Sequence, residues 1–174
     1  MAYTLQELSD FEDIRTVKHK YFRCIDTANT TELRTLFTDD VTVEFRGGDY
    51  KVKFQGLEQY VVFVANSFHS DCAGMHHGHM PEIKLDGDKA EATWYLEDIF
   101  INLMDNTKTI GSAIYYDKMI RTKDGWKIYD TQYDRIMEVV RPFKDDEKIT
   151  ENYLSKHGLK KSERVDISHL ITWF

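Results

Sequence analysis

Residues 110–139 read IGSAIYYDKMIRTKDGWKIYDTQYDRIMEV, and this stretch decides the fold. Two long arms, Ile110 to Arg121 and Trp126 to Val139, flank Asp124-Gly125. An Asp-Gly pair between strand-like arms signals a hairpin, because the tight turn needs residues that tolerate positive φ. Just upstream, Ile83, Leu85, Ala90, Ala92, Trp94 and Leu96 alternate around Asp86-Gly87-Asp88, a second hairpin. Together they predict about four antiparallel strands. Before them the period changes. Leu8, Phe11, Ile14, Val17, Tyr21, Cys24, Ile25 and Ala28 recur at steps of three and four, which predicts one long amphipathic helix. Asn29-Thr30-Thr31 interrupts it, with Thr30 as cap of a short second helix carrying Leu33, Leu36 and Phe37. Val41, Val43 and Phe45 form a half-buried strand ending at Gly47-Gly48, and Leu57 to Phe68 an apolar third helix. Helices segregated from antiparallel hairpins indicate an α+β fold, a curved sheet packed on three helices around an apolar pocket.

The length of 174 residues favours one folding unit with a core large enough to need no disulfide or metal staple. We divide it into a barrel domain, 1–141, and a charged extension with an apolar end, 142–174. With 41% hydrophobic and 30% charged residues, the composition excludes disordered, collagen-like and membrane classes. The net charge of -7 argues against a nucleic-acid partner. The N-terminus lacks the cationic and apolar segments of a signal peptide, and no run is long enough to span a membrane, so a cytoplasmic protein is expected. Cys24 and Cys72 then read as reduced thiols, with Cys72 as a nucleophile the alternative. The tail carries charge runs at 144–148 and 160–164 but ends in Ile167-Ser168-His169-Leu170-Ile171-Thr172-Trp173-Phe174. Such an end either docks or frays. Ten Tyr beside ten Phe and three Trp exceed what a core requires.

Three polar clusters stand where packing alone prefers apolar residues. Tyr21 to Asp26 closes the first helix; its carboxylate sits at the negative end of the helix dipole and needs a cation or donor to answer it. Tyr21 and Asp26 are too far apart around the helix for one narrow stripe, although both can point into a wide mouth. Met75 to Pro81 holds three of the seven histidines. They admit a metal site completed by Asp71, Cys72 or Glu97, a surface loop, or a single inward imidazole paired with a carboxylate as a general base. In an extended segment His76 and Gly78 face one way, His77 and His79 the other. Asp98 ends the apolar face of Ala92, Trp94 and Leu96, where an acid must be paired or protonated. On the last strand Tyr129, Tyr133, Arg135 and Met137 share a parity that brings Arg135 to an interior acid, unless a bulge intervenes.

Four stretches carry a family resemblance: Lys20 to Asp26, Met75 to Ile83, Trp94 to Asp98, and Tyr116-Asp117-Lys118 running on through Asp124-Gly125-Trp126 to Tyr133–Glu138. They resemble the SnoaL-like group of the nuclear-transport-factor-2-like superfamily, and within it the bile acid 7α-dehydratases, over Ile14 to Glu138. The resemblance implies a cone-shaped α+β barrel, a dehydratase or other lyase needing no cofactor, a small apolar ring-containing substrate, and a homo-oligomer, a trimer by preference. It also implies a site of Tyr21, Asp26, His76, Asp98 and Arg135, with His76 as base oriented by Asp26. In one departure Phe45 stands where these dehydratases carry a tyrosine. An isomerase or cyclase on the same barrel, a non-catalytic ligand carrier and a metal-dependent hydrolase remain the alternatives.

Overall fold

A computed structural model describes residues 2–144 and 146–174; Asp145, within the first charge run, and Met1 lie outside the described residues. The first helix, α1 (Leu5–Asp26), begins one turn earlier than the apolar period suggests. Thr4 and Glu7 form a capping box, each satisfying the other's backbone N–H, so the chain is helical before its first inward residue. Helix α2 (Thr30–Leu33) is capped by Asn29, not by Thr30. The Asn29 carboxamide oxygen accepts from the Glu32 N–H at 3.1 Å, and Ala28 before it takes the left-handed conformation at φ 52°. A single 3₁₀ turn leads into β1 (Phe37–Arg46), which turns back through residues 47–49 into β2 (Tyr50–Gln55). Helix α3 (Leu57–Ser67) follows Gly56, whose φ of 105° only glycine adopts readily.

The long hairpins then form as the Asp-Gly turns direct: β3 (Cys72–Asp86) with β4 (Lys89–Asn102), and β5 (Thr107–Thr122) with β6 (Gly125–Pro142). Gly87 and Gly125 take the positive φ, 59° and 99°, that those turns require. The sheet has seven strands in the order β3-β4-β5-β6-β1-β2-β7, three more than the hairpin signals alone predict. It is also not wholly antiparallel, because β1 lies parallel to β6. After Pro142 the tail returns through α4 (Tyr153–His157) to β7 (Ile171–Trp173), which pairs with β2. The apolar end therefore docks on its own sheet, with Leu154 and Leu170 buried and Arg164 paired to Asp71.

Strand β6 corrects the parity expected of it. Its register against β5 skips Tyr129 and Ile136, two bulges that each reverse the alternation. Trp126 and Ile128 face inward, then Thr131 and Tyr133, while Met137 turns out to solvent, 52% exposed. Tyr133 and Arg135 keep the shared face; Tyr129 and Met137 leave it.

The α1 face of Ile14, Tyr21, Cys24 and Ile25 closes the core against the sheet. Two ion pairs, one partly and one wholly buried, fix that contact. Asp10 takes two hydrogen bonds of 2.6 Å from Arg121 and one of 3.2 Å from Trp126 Nε1. Lys18, wholly buried, sits 2.8 Å from Asp117, which also accepts from Thr131 at 2.8 Å. Burial pushes the Lys18 ammonium down to about 8 even beside that carboxylate.

Candidate active site

The concave side of the sheet and helices α1 and α3 enclose a cavity of about 390 Å³, within the range that holds drug-sized ligands. The five residues expected at the site fall on four different elements: Tyr21 and Asp26 on α1, His76 on β3, Asp98 on β4 and Arg135 on β6. Tyr21, His76, Asp98 and Arg135 line the cavity. Asp26 does not. It stands behind His76, on a shallow cleft with His19, Phe22, Arg23, His77 and Gly78, so the wide mouth shared by Tyr21 and Asp26 is not formed.

Asp26 grips His76 twice. One carboxylate oxygen lies 2.6 Å from Nδ1, and the other accepts the His76 backbone N–H at 3.1 Å. An ionised carboxylate only accepts, so the contact favours the proton on Nδ1 and leaves the Nε2 lone pair unused on a ring that lines the cavity, the tautomer a general base needs. The helix-end carboxylate thus has its partner. The strand alternation expected of residues 76–79 holds, and the cluster is strand, not loop. His76 is inward and His77 is solvent-exposed. Gly78 permits the arrangement, since a Cβ there would lie 2.0 Å from Phe22 Cε2. Phe22 can therefore stack on the His76 ring, centroids 6.2 Å apart and planes at 11°.

Deeper in, phenols replace carboxylates. Tyr60 donates to the Tyr21 hydroxyl at 2.7 Å, and the Tyr21 and Tyr115 hydroxyls are 3.3 Å apart. Burial holds all three pKa values well above the ordinary phenol range, so each keeps its proton and can donate. The Lys18 ammonium lies beneath them, 3.6 Å from the Tyr115 ring centroid. Phe45 stacks on Tyr133 at 4.4 Å, and Tyr133 shares a hydroxyl–hydroxyl hydrogen bond with Tyr50. Tyr50, Tyr60 and Tyr115 escape a reading by clusters: Tyr60 and Tyr115 border apolar runs, Val61 to Val64 and Ala113-Ile114, and Tyr50 stands in a short polar segment after Gly47-Gly48.

Asp98, 1% exposed, is answered by Arg135 through two hydrogen bonds, the Nη2 one 2.8 Å long. Arg135 Nε lies 3.0 Å from a Glu138 oxygen. The register explains the trio: Asp98, Gly111 and Glu138 are cross-strand neighbours on β4, β5 and β6. The guanidinium lies over Gly111, where a Cβ would come within 2.7 Å of Nη1. Burial opposes the Arg135 charge, but the Asp98 bonds outweigh it and hold its pKa above the ordinary arginine value.

The alternatives for the cysteines and histidines do not form. Cys24 and Cys72 are buried, and burial raises both thiols to about 11, which suppresses the thiolate. Glu97 faces solvent opposite His77, Asp71 is paired with Arg164, and among the described residues no three His, Cys, Asp or Glu side chains are grouped to hold a metal ion. No helix among the described residues is long and apolar enough to cross a membrane.

A curved seven-stranded sheet with helices on its concave side, closed over an aromatic cavity edged by an Asp–His pair, defines a cone-shaped α+β barrel with a site suited to proton transfer. The model of the SnoaL-like domain matches residues 6–132, and the chain belongs to that family. Among solved structures it is similar to hexachlorocyclohexane dehydrochlorinase LinA-type3 of Novosphingobium barchaimii, with TM-score 0.71, 16% identity, and coverage of 84% of this chain and 99% of that one. It is also similar to a candidate scytalone dehydratase of Novosphingobium aromaticivorans, with TM-score 0.69, 16% identity and coverage of 84% and 93%. A third is the Kfla4162 protein of Kribbella flavida, with TM-score 0.69, 19% identity and coverage of 76% and 95%. At these identities the likeness carries the fold alone.

Proposed function

We propose that this protein is a cofactor-independent lyase, a dehydratase that eliminates water from a hydroxylated, carbonyl-activated polycyclic or steroid-like substrate. The observation that carries the reading is the Asp26–His76 pair, its imidazole on the wall of an apolar cavity floored by neutral phenols. His76 Nε2 takes the proton made acidic by the carbonyl. The released electron pair forms the new carbon–carbon double bond as the carbon–oxygen bond breaks. The imidazolium returns its proton to the departing hydroxide, which leaves as water. Tyr21 accepts from Tyr60, so its own proton can turn from the Tyr115 hydroxyl, 3.3 Å away, to the charge developing on the carbonyl oxygen. Asp98 and Arg135, locked to each other, form a fixed polar wall that positions the substrate. Two of the similar structures are named for eliminations, of hydrogen chloride in one and water in the other, which agrees with this chemistry.

Nearness to the bile acid 7α-dehydratases is part of the same proposal and makes a 7-hydroxy-3-oxo-Δ4 steroid the first compound to test. Phe45 gives the substrate a stacking face where a hydroxyl would otherwise reach it. A trimer fits the apolar end of β6, where Ile136, Met137, Val139 and Val140 are each about half exposed, and unpaired Cys24 and Cys72 suit a cytoplasmic protein. Incubation of the purified protein with that steroid, followed by mass spectrometry, tests the reading. The expected product has lost one water, and His76→Ala abolishes its formation. A product of unchanged mass makes the enzyme an isomerase, and full turnover by His76→Ala removes the proposed base.

A further inference from the structure

The charges around the cavity are unequal. Asp49, Asp98 and Glu138 line it, and Arg135 is the one Lys or Arg among the described lining residues. That single cation is also answered twice. Asp98 occupies the end of the guanidinium with two hydrogen bonds, and Glu138 lies 3.0 Å from its Nε edge. Glu138 is mostly buried, its side chain 15% exposed, between Arg135 and the β1–β2 turn, where its other oxygen lies 3.3 Å from the Cβ position of Gly48. One carboxylate would already balance one guanidinium; the second makes the trio anionic in a cavity walled mostly by aromatic and aliphatic side chains. An arginine in a pocket ordinarily marks a carboxylate or phosphate ligand. Here its charge is spent within the protein.

Resting on the reading of this cavity as the substrate site, we infer that Glu138 is a specificity-determining residue that makes the pocket select uncharged ring compounds and reject those carrying a free carboxylate, sulfate or sulfonate. An anion entering the cavity loses its hydration and meets carboxylates without a free cation to repay that loss.

A matched pair of fluorescent ligands tests the inference without the natural substrate. N-phenyl-1-naphthylamine is neutral, and 8-anilino-1-naphthalenesulfonate is nearly the same ring system with a sulfonate. The unmodified protein should bind the neutral probe, and Glu138→Gln should improve sulfonate binding relative to neutral binding by at least about tenfold, since one charge within about 10 Å at an effective dielectric of about 20 is worth that much or more. In the unmodified protein, raising salt to about 1 M should narrow the preference as the Debye length falls to about 3 Å. That arm needs no variant and stands if Glu138→Gln does not fold. A preference unmoved by both the substitution and salt overturns the inference while leaving the apolar site intact. Failure of the neutral probe to bind removes the proposed substrate site, and the inference with it.

Discussion

Replacing Asp26 by Asn changes one atom and reverses the hydrogen-bond logic of the site. In the protein the carboxylate accepts twice, from His76 Nδ1–H at 2.6 Å and from the His76 backbone N–H at 3.1 Å. A carboxamide has one acceptor oxygen and one donating NH₂. If its oxygen stays on the backbone N–H, the NH₂ faces Nδ1 and pins the imidazole proton on Nε2, the atom proposed to accept the substrate's proton. The residue still fits and the backbone grip survives, so the variant should fold. The base is lost through its tautomer, a change that in a comparable Asp–His arrangement of a serine protease costs about 10⁴-fold in rate. A loss of about 10³ to 10⁴-fold is expected here, on the order of 4–5 kcal/mol of barrier. Long-range ¹⁵N–¹H NMR of the His76 ring reads the tautomer directly and needs no substrate. The unmodified protein should show Nδ1–H and Asp26→Asn should show Nε2–H. An unchanged tautomer in the variant, or an unchanged rate with the tautomer switched, would refute this account of the base.

Two further outcomes concern the ion pairs that hold α1. The hydrogen bonds from Arg121 hold Asp10 at about 2, below its ordinary 3.8. Between those values the unfolded chain binds more protons, so the pair's stabilisation is complete above about pH 4 and is lost as pH falls toward 2. Denaturation midpoints across that window should fall by the equivalent of about 1–2 kcal/mol, and Asp10→Asn should flatten the fall. Lys18→Met leaves Asp117 charged and buried without its partner, which should cost about 3–5 kcal/mol in urea unfolding; adding Asp117→Asn should recover most of that loss, since the remaining amide still accepts from Thr131.

The local features of this fold were legible because each rests on neighbours in sequence. The Asp-Gly turns, the three-and-four spacing of α1 and the alternation of β4 all lie within a few residues, and the structure follows them. Strand β2 carried a signal too, Val52 and Phe54 between Lys51 and Lys53, but a six-residue run after Gly47-Gly48 reads equally as loop. The parallel contact of β1 with β6 joins residues almost ninety positions apart, and no local pattern encodes it. The bulges at Tyr129 and Ile136 belong to the same class: each depends on a partner strand, so the run of shared parity was true only from 131 to 135. Within the site, the acids and His76 stood out because packing disfavours them there. Tyr60 and Tyr115 did not, since a phenol passes for an apolar residue until its hydroxyl finds another. Asp26 is marked by its charge at a helix end, which His76 answers, while its place behind His76 goes with Phe22 packing over Gly78.

Strands β3 and β7 are the two edges of the sheet, and the curvature brings both onto one cavity. His76 belongs to the first edge, Ile171 and Trp173 to the last. Reactivity and fit therefore reside about a hundred residues apart in the chain and as far apart as the sheet allows. The outer wall hangs on three register pairs with β2, and Trp173 meets the aromatic lining edge-on at Tyr50, ring centroids 5.9 Å apart. Lineages carrying this fold could exchange one ring system for another by rewriting a few edge residues, while the proton-moving machinery passes unchanged from one substrate to the next.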